Sequence, residues 1–210
     1  MRTLLFQRGS LVAAATCVTL LASCASNQVL RSSTDRLEPG KDAVVLMTLK
    51  VSNKVKPTFQ QNLAGVVLGG KVYRAPKPIH SVAKDYNEYI LSMRVAGGSR
   101  TLKSFTVVCG IPIIIQASSS IPMNTTANVE AGHVYYLGQV EADMNPLKEG
   151  EQRAAIFPLV DAAVVGYSQG SWGVTIRDNY QQDMALIQSN FPAVQGVKVD
   201  KQILPAWKRQ

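Results

Sequence analysis

The side chains with the most reactive chemistry in this sequence are one cysteine and two histidines. Cys109 closes the β-rich run Phe105–Cys109, with His80 before it and His133 after it along the chain. A thiolate paired with an imidazole is the nucleophile of cysteine hydrolases. Such a cysteine normally opens a helix, whose N-terminus lowers the pKa of the thiol, whereas Cys109 ends a strand pattern. We therefore predict a buried structural thiol and keep a hydrolase as the alternative.

The acidic residues form two close pairs that could act in hydrolysis. Glu141 and Asp143 lie two residues apart, so a strand would place them on one face, and Glu149 and Glu151 flank Gly150 in an expected hairpin loop. Paired carboxylates catalyse glycoside hydrolysis. Turn and edge solubility also explains both pairs, and we prefer that interpretation. The two histidines lie far apart in sequence and have no clustered carboxylate, so we predict no metal site.

Three further groups of residues are interpreted as structural. Ser118-Ser119-Ser120 has no G-x-S-x-G frame and is predicted to form a turn. The glycines at 65, 69 and 70 lack the lysine and spacing of a phosphate-binding loop. Tyr135, Tyr136 and Trp172 could line a ligand groove, but aromatic residues in strands usually pack in the core. No catalytic residue and no cofactor is predicted.

The first 24 residues carry the most specific motif. Arg2 and Arg8 precede an uncharged run from Leu11 to Leu21, which is too short to span a bilayer of about 30 Å. The tetrapeptide Leu21-Ala22-Ser23-Cys24 follows. This pattern resembles the lipobox of bacterial lipoprotein precursors. The resemblance implies a signal peptide over residues 1–23, cleavage between Ser23 and Cys24, and acylation of Cys24 by S-diacylglycerol and an N-acyl chain such as palmitate.

Such an anchor would set the location of the protein. Two or three acyl chains hold a protein durably in a bilayer, whereas one does so only marginally. Ala25 and Ser26 follow Cys24, and an aspartate at the first of these positions is the usual signal for retention in the inner membrane. The resemblance therefore implies an outer-membrane protein that faces the periplasm.

Composition limits the possible partners. The chain of 210 residues is 46% hydrophobic, which is typical of one folded domain. Its net charge is +8, and the basic residues are scattered without a nucleic-acid-binding motif, so we expect anionic envelope surfaces and no nucleic acid. If Cys17 leaves with the signal peptide and Cys24 is acylated, Cys109 has no partner for an intramolecular disulfide.

The rest of the chain is predicted to be mainly β. Residues 24–40 are polar and end in Pro39-Gly40, which predicts a flexible tether before a single domain over residues 41–210. Short alternating or apolar runs at roughly ten-residue spacing favour an antiparallel β-sandwich or barrel. The strands are expected at 43–49, 71–74, 88–95, 100–108, 113–117, 123–130, 134–141 and 172–177.

One C-terminal α-helix is predicted near residues 179–191. Asp178 would cap it with Gln181 three residues later, and the apolar stripe is Tyr180, Met184, Ile187 and Phe191. Residues 51–87 give no clear pattern, and the tail after Gly196 is expected to be an extended segment or a loose arm. The stretch from Ile111 to Ile115 would be an aggregation hazard if exposed, so it should be core or covered by a partner.

Two segments resemble a known kind of domain. Gly97–Phe105, with its glycine turn before Leu-Lys-Ser-Phe, and Glu130–Gly138, with Tyr-Tyr-Leu-Gly after a turn, are similar to small envelope lipoproteins with a transthyretin-like or carboxypeptidase-regulatory-like sandwich. The resemblance implies a non-catalytic protein of the envelope. We therefore expect a lipid-anchored binding or assembly module with an envelope protein or cell-wall partner. The alternative is an envelope hydrolase that uses Cys109 or acidic residues.

Overall fold

The computed structural model describes residues 27–83, 85–111, 115–154 and 160–209. The predicted signal peptide, its cleavage site and Cys24 lie outside these residues, as does most of the apolar stretch from 111 to 115. The strands are β1 Ala43–Asn53, β2 Asn62–Leu68, β3 Lys71–Arg74, β4 His80–Ser81, β5 Tyr86–Val95, β6 Gly98–Ile111, β7 Ile115–Val129, β8 Val134–Pro146, β9 Gly170–Arg177 and β10 Asp200–Lys201. The helices are α1 Val160–Val164 and α2 Tyr180–Asn190.

These strands form two sheets, which confirms the predicted mainly β, sandwich-like class. One sheet has the order β10-β8-β1-β5-β4, with β9 also paired to β8, and the other has the order β3-β2-β6-β7. Their facing surfaces share one hydrophobic core. Most neighbouring strands are antiparallel as predicted, but β8 runs parallel to both β1 and β10.

Strand β1 is the centre of the larger sheet and is buried on both faces over most of its length. Val45, Met47 and Leu49 point into the core between the sheets. Val44 and Leu46 point to the opposite face, where a second apolar cluster lies under helix α2. A strand buried on both sides is a continuous apolar run rather than an alternating one, and the sequence of β1 has this form.

Helix α2 is confirmed close to its predicted bounds, and its apolar stripe packs on the second cluster through Met184 and Ile187. The predicted capping by Asp178 is wrong, because Asn179 occupies the N-cap position. The Asp178 carboxylate instead accepts a hydrogen bond from the Tyr180 backbone N–H at 3.2 Å and pairs with Lys201 at 2.8 Å. The ammonium group of Lys201 holds the pKa of Asp178 below its ordinary value.

The predicted tether over residues 24–40 is wrong from Gln28 onward. Leu30 and Leu37 are buried in the cluster beneath α2. The Val29 backbone N–H donates to the Ser92 carbonyl at 2.7 Å, and the Leu30 N–H donates to the Ser92 hydroxyl at 2.8 Å. These few apolar residues are enough to dock the segment, although its overall composition is that of a linker.

The side chain of Gln28 joins the two sheets at one open edge of the sandwich. Its Oε1 accepts a hydrogen bond from the Ser92 N–H of β5 at 2.7 Å, and its Nε2 donates to the Arg74 carbonyl of β3 at 2.8 Å. Both are backbone groups at sheet edges that would otherwise need another partner. Gln28 is buried, so the folded domain includes the chain from this residue onward and not only residues 41–210.

The C-terminal tail closes the opposite edge. Strand β10 pairs with β8, and the Trp207 indole N–H donates to the Pro122 carbonyl of β7 at 2.7 Å. Of the two expectations for this tail, an extended segment that docks on the domain is therefore confirmed over these residues. Each end of the described chain bonds to both sheets.

The predicted strands are observed with somewhat different bounds, except that those expected at 113–117 and 123–130 are parts of one continuous strand, β7; residues 112–114 are not described. The predicted turn at Ser118–Ser120 is wrong, because these residues lie inside the long strand β7. Strand β2 was not predicted, since its sequence is interrupted by Gly65. Among the described residues, none of the helices is both long and apolar enough to cross a membrane.

We expect Gln28→Ala to destabilise the domain by about 1–3 kcal/mol, because it leaves two backbone groups at the sheet edges without their partner. Urea unfolding monitored by circular dichroism measures this. The control is Asn27→Ala, which changes an exposed neighbour. Equal unfolding midpoints for the two variants would contradict a joining role for Gln28.

Candidate functional site

Cys109 is placed in β6 with its side chain in the core. It is 4% exposed and packs in the cluster that contains Phe105 and Val107. This agrees with the predicted buried structural thiol. A thiol in such a position has no access to a substrate in solution.

The structure does not bring the two histidines to Cys109. His133 lies two residues after Ala131, which contacts Gly97 at the opposite end of β6. With a rise of about 3.3 Å per residue, Cys109 is about 35 Å along the strand from that end. His80 pairs in register with Glu88 on the outer face of the larger sheet, so the sheet separates it from Cys109.

His133 belongs to a small ionic group on the surface. Its Nδ1 lies 3.0 Å from the Asp200 carboxylate, which Lys198 also contacts at 3.1 Å. The hydrogen bond from His133 and the charge of Lys198 lower the pKa of Asp200 from its ordinary value. These contacts tie β10 to the turn before β8.

Glu151 fastens the C-terminal tail to the domain. Its carboxylate accepts hydrogen bonds from the Ser171 hydroxyl and the Arg209 guanidinium, and together they lower its pKa to about 2. Arg209 also donates to the Trp172 carbonyl at 3.3 Å. The predicted turn is present, with Gly150 at a φ of 79°, but α1 follows it before β9, so the loop is not a simple hairpin.

The aromatic residues considered for a groove are core residues. Tyr135, Tyr136 and Trp172 are all buried. The Trp172 indole N–H donates to the Ser119 hydroxyl at 2.8 Å, and that hydroxyl donates to the Ala154 carbonyl. Gly69 and Gly70 form the β2–β3 turn with positive φ, which glycine adopts without strain.

The polar residues that the fold does bring together lie on the outer face of the larger sheet. The pairing register aligns one side chain from each of five strands, β9, β8, β1, β5 and β4, in a single row. We call this row the charged ladder: Thr175, Glu141, Lys50, Glu88 and His80. Glu141 is one of the acids predicted to share a strand face with Asp143, and both do lie on this outer face.

Charges of opposite sign alternate along the charged ladder. Lys50 lies between the two glutamates, with its Nζ 3.6 Å from the Glu88 carboxylate and 5.3 Å from the centre of the Tyr86 ring. Arg177 contacts Glu141 at 3.1 Å. Solvent reaches the Arg177–Glu141 pair, which is therefore individually weak, whereas the Glu88 side chain of the Lys50–Glu88 pair is only 10% exposed.

A second polar row lies beside the first. The Ser52 hydroxyl donates to the Asp143 carboxylate at 2.5 Å, and Lys54 contacts the same carboxylate at 2.7 Å. Each acid of the Glu141–Asp143 pair is therefore held by its own cation. The pair lacks the free general acid and base that glycoside hydrolysis requires.

Helix α2 covers part of the outer face of the larger sheet. At the end of the covered part lies a buried carboxylate of α2, Asp183. Asp183 is 2% exposed and accepts hydrogen bonds from the Tyr136 hydroxyl at 2.6 Å and from the Thr48 hydroxyl. Gln139 and Asn179 donate to its second oxygen at 3.2 and 2.9 Å. Burial, and then the neighbouring carboxylate, raise the pKa of Tyr136 above its ordinary value.

The two polar rows offer both hydrogen-bond donors and acceptors at the fixed spacing of a sheet, and Ser52 and Glu88 within them are buried. They suit a polar partner that carries charges of both signs. Within the part of the chain that the structure describes, no group of three or more His, Cys, Asp or Glu side chains could hold a metal ion. No family model, curated protein or solved structure matches the chain. The resemblance to transthyretin-like or carboxypeptidase-regulatory-like lipoproteins stays a prediction.

Sequence reasoning missed Lys50, Glu88, Asp183 and Gln28. Lys50 and Glu88 become neighbours only through the β1–β5 register, which the sequence does not state. The sequence does contain an indication for Asp183, because an acid stands three residues after Tyr180 on the apolar stripe of α2. An acid at such a position either is exposed or has buried donors, and here it has four.

We expect the attachment of the C-terminal tail to depend on acid. The pKa of Glu151 is lowered from 4.5 to about 2, so its ion pair with Arg209 contributes fully above the ordinary glutamate range and is lost as the pH falls through about 2. The indole N–H resonance of Trp207 in NMR spectra reports the detachment. In Glu151→Gln the resonance should already be at its detached position at pH 5, and an unchanged resonance there would contradict the assignment.

Proposed function

We propose that the protein is a lipid-anchored envelope protein of the outer membrane that faces the periplasm and binds a partner without catalysis. The observation that carries this proposal is the order of basic start, uncharged core and Leu21-Ala22-Ser23-Cys24 in the first 24 residues. Each part has the length and composition that export and acylation require.

The charged ladder is the binding surface that we propose. It spans five strands, and it is rigid because its side chains stand on a sheet. Thr175 and His80 at its two ends are exposed, Lys50 and Glu141 are partly exposed, and Glu88 is buried. Electrostatic complementarity selects partners and orients them. Charges of both signs at fixed spacing complement the ionic surface of another protein better than a polymer of one charge sign, so the proposed partner is an envelope protein. The hydrolase alternative gains no support, since Cys109 is buried and distant from His133.

We expect the mature protein to carry a diacylglycerol thioether and an amide-linked acyl chain on Cys24. Mass spectrometry of the N-terminal peptide and incorporation of labelled palmitate measure this directly. Cys24→Ser should abolish the label, whereas Cys17→Ser, which changes the other cysteine of the segment, should leave it unchanged. A palmitate-free wild-type protein would refute the anchor.

We expect a photo-crosslinking residue at Thr175 to capture one protein in stoichiometric yield in intact cells. Thr175 is an exposed residue of the charged ladder. The matched control is Thr126, an exposed threonine on the outer face of the other sheet. Adducts with cell-wall polymer alone, or the same adducts from both positions, would contradict a protein partner at the ladder.

A further inference from the structure

The sandwich has one edge that carries basic residues without acids. Residues 71–77 form β3 and the start of the loop after it, and they contain Lys71, Arg74 and Lys77, all exposed, and no aspartate or glutamate. Exposed Val72 stands between the first two, with 49% of its surface accessible. We call residues 71–77 the basic edge.

The charge asymmetry extends to the whole smaller sheet. None of the residues in β2, β3, β6 and β7 is acidic. At the opposite edge of the sandwich, acids alternate with bases, and Asp178, Asp200 and Glu151 are each in contact with a cation. The exposed charges of the smaller sheet are therefore all of one sign, and the acids closest to it are Asp42, whose charge acts on Tyr73, and Asp35, which lies beside Arg31.

The N-terminal segment joins the domain at this same edge. The Gln28 side chain donates to the Arg74 carbonyl at 2.8 Å, and Val29 and Leu30 are held by Ser92 of the adjacent β5. Exposed Arg31 follows directly. Four residue steps separate Cys24 from Gln28, and they span at most about 14 Å when fully extended.

That span is short compared with the domain. A domain of this length has a radius of gyration of about 16 Å and a diameter of about 40 Å. A lipid on Cys24 would therefore hold the basic edge near the headgroups while the far side remained well beyond a Debye length of about 8 Å. The attachment point and the one-sign surface coincide, so the anchor presents that surface to the bilayer.

We propose that the basic edge is the surface with which the domain lies against an anionic phospholipid bilayer. This orientation rests on the proposed lipid anchor at Cys24. Lys71 and Lys77 contact the phosphates, and Val72 enters the interface between them. The charged ladder, on the outer face of the other sheet, then stands beside the membrane rather than under it and stays open to a protein partner.

Acetylation of lysines, read residue by residue with mass spectrometry, tests the orientation. The mature chain with a maleimide phospholipid coupled to Cys24 is placed on vesicles of phosphatidylglycerol and phosphatidylethanolamine, and the unanchored Cys24→Ser chain is the reference. We expect Lys71 and Lys77 to react at least several-fold more slowly on vesicles. The exposed Lys148 and Lys208, near the opposite edge, should react at unchanged rates.

The synthetic anchor separates this test from the proposed function, because it works whether or not cells acylate Cys24. Equal protection of all four lysines, or protection of Lys148 and Lys208 alone, would overturn the orientation. A second measurement uses sedimentation of the unanchored chain with the same vesicles at low salt. There Lys71→Glu/Lys77→Glu should lower binding at least about tenfold, and the matched Lys148→Glu/Lys208→Glu should change it far less. Equal losses in both double variants would also overturn the proposal.

Discussion

The fold depends on the burial of β1 from both sides. Its inner face belongs to the core between the sheets, so its outer face needs a second cover, and α2 together with residues 28–37 supplies it. Where that cover stops, β1 changes from leucine to threonine and then to Lys50. The Asp183 carboxylate closes the boundary with four hydrogen bonds. The position of the open polar face therefore follows from how far one helix reaches along one strand.

The two ends of the described chain each protect one open edge of the sandwich. A sandwich of open sheets leaves unpaired backbone groups at its edges, and such edges invite aggregation. Gln28 satisfies groups from both sheets at one edge, while Trp207 and Arg209 attach the tail at the other. The first of these ends, at Gln28, lies only four residues after Cys24. With the lipid anchor that we propose on Cys24, edge protection and membrane attachment would use the same short segment.

The sequence was informative wherever a side chain's environment follows from its neighbours in the chain. Met123 to Val129 alternates as predicted because one face of β7 is core and the other is solvent, and α2 keeps its stripe because one side packs. Strand pairing is not local, so the register that aligns Lys50 with Glu141 and Glu88 could not be read from it. The segment before Gly40 was misjudged because composition averages over residues, whereas docking needs only Leu30, Leu37 and one glutamine. Ser119 was misjudged for a related reason, since its burial depends on Trp172 far along the chain.

The parallel pairing of β1 with β8 has a consequence for how the chain matures. The central strand finds its neighbour about ninety residues later, and β10 must still add to the far side of β8. Proteins dominated by such distant pairings fold slowly, because the entropy of closing long loops is lost before the contacts that offset it form. A nascent chain of this kind stays unfolded until nearly all of it has been made. For the exported protein that we propose, that delay would give a secretion machinery, which threads unfolded polypeptide, the time to move the chain across a membrane before the sheet can close.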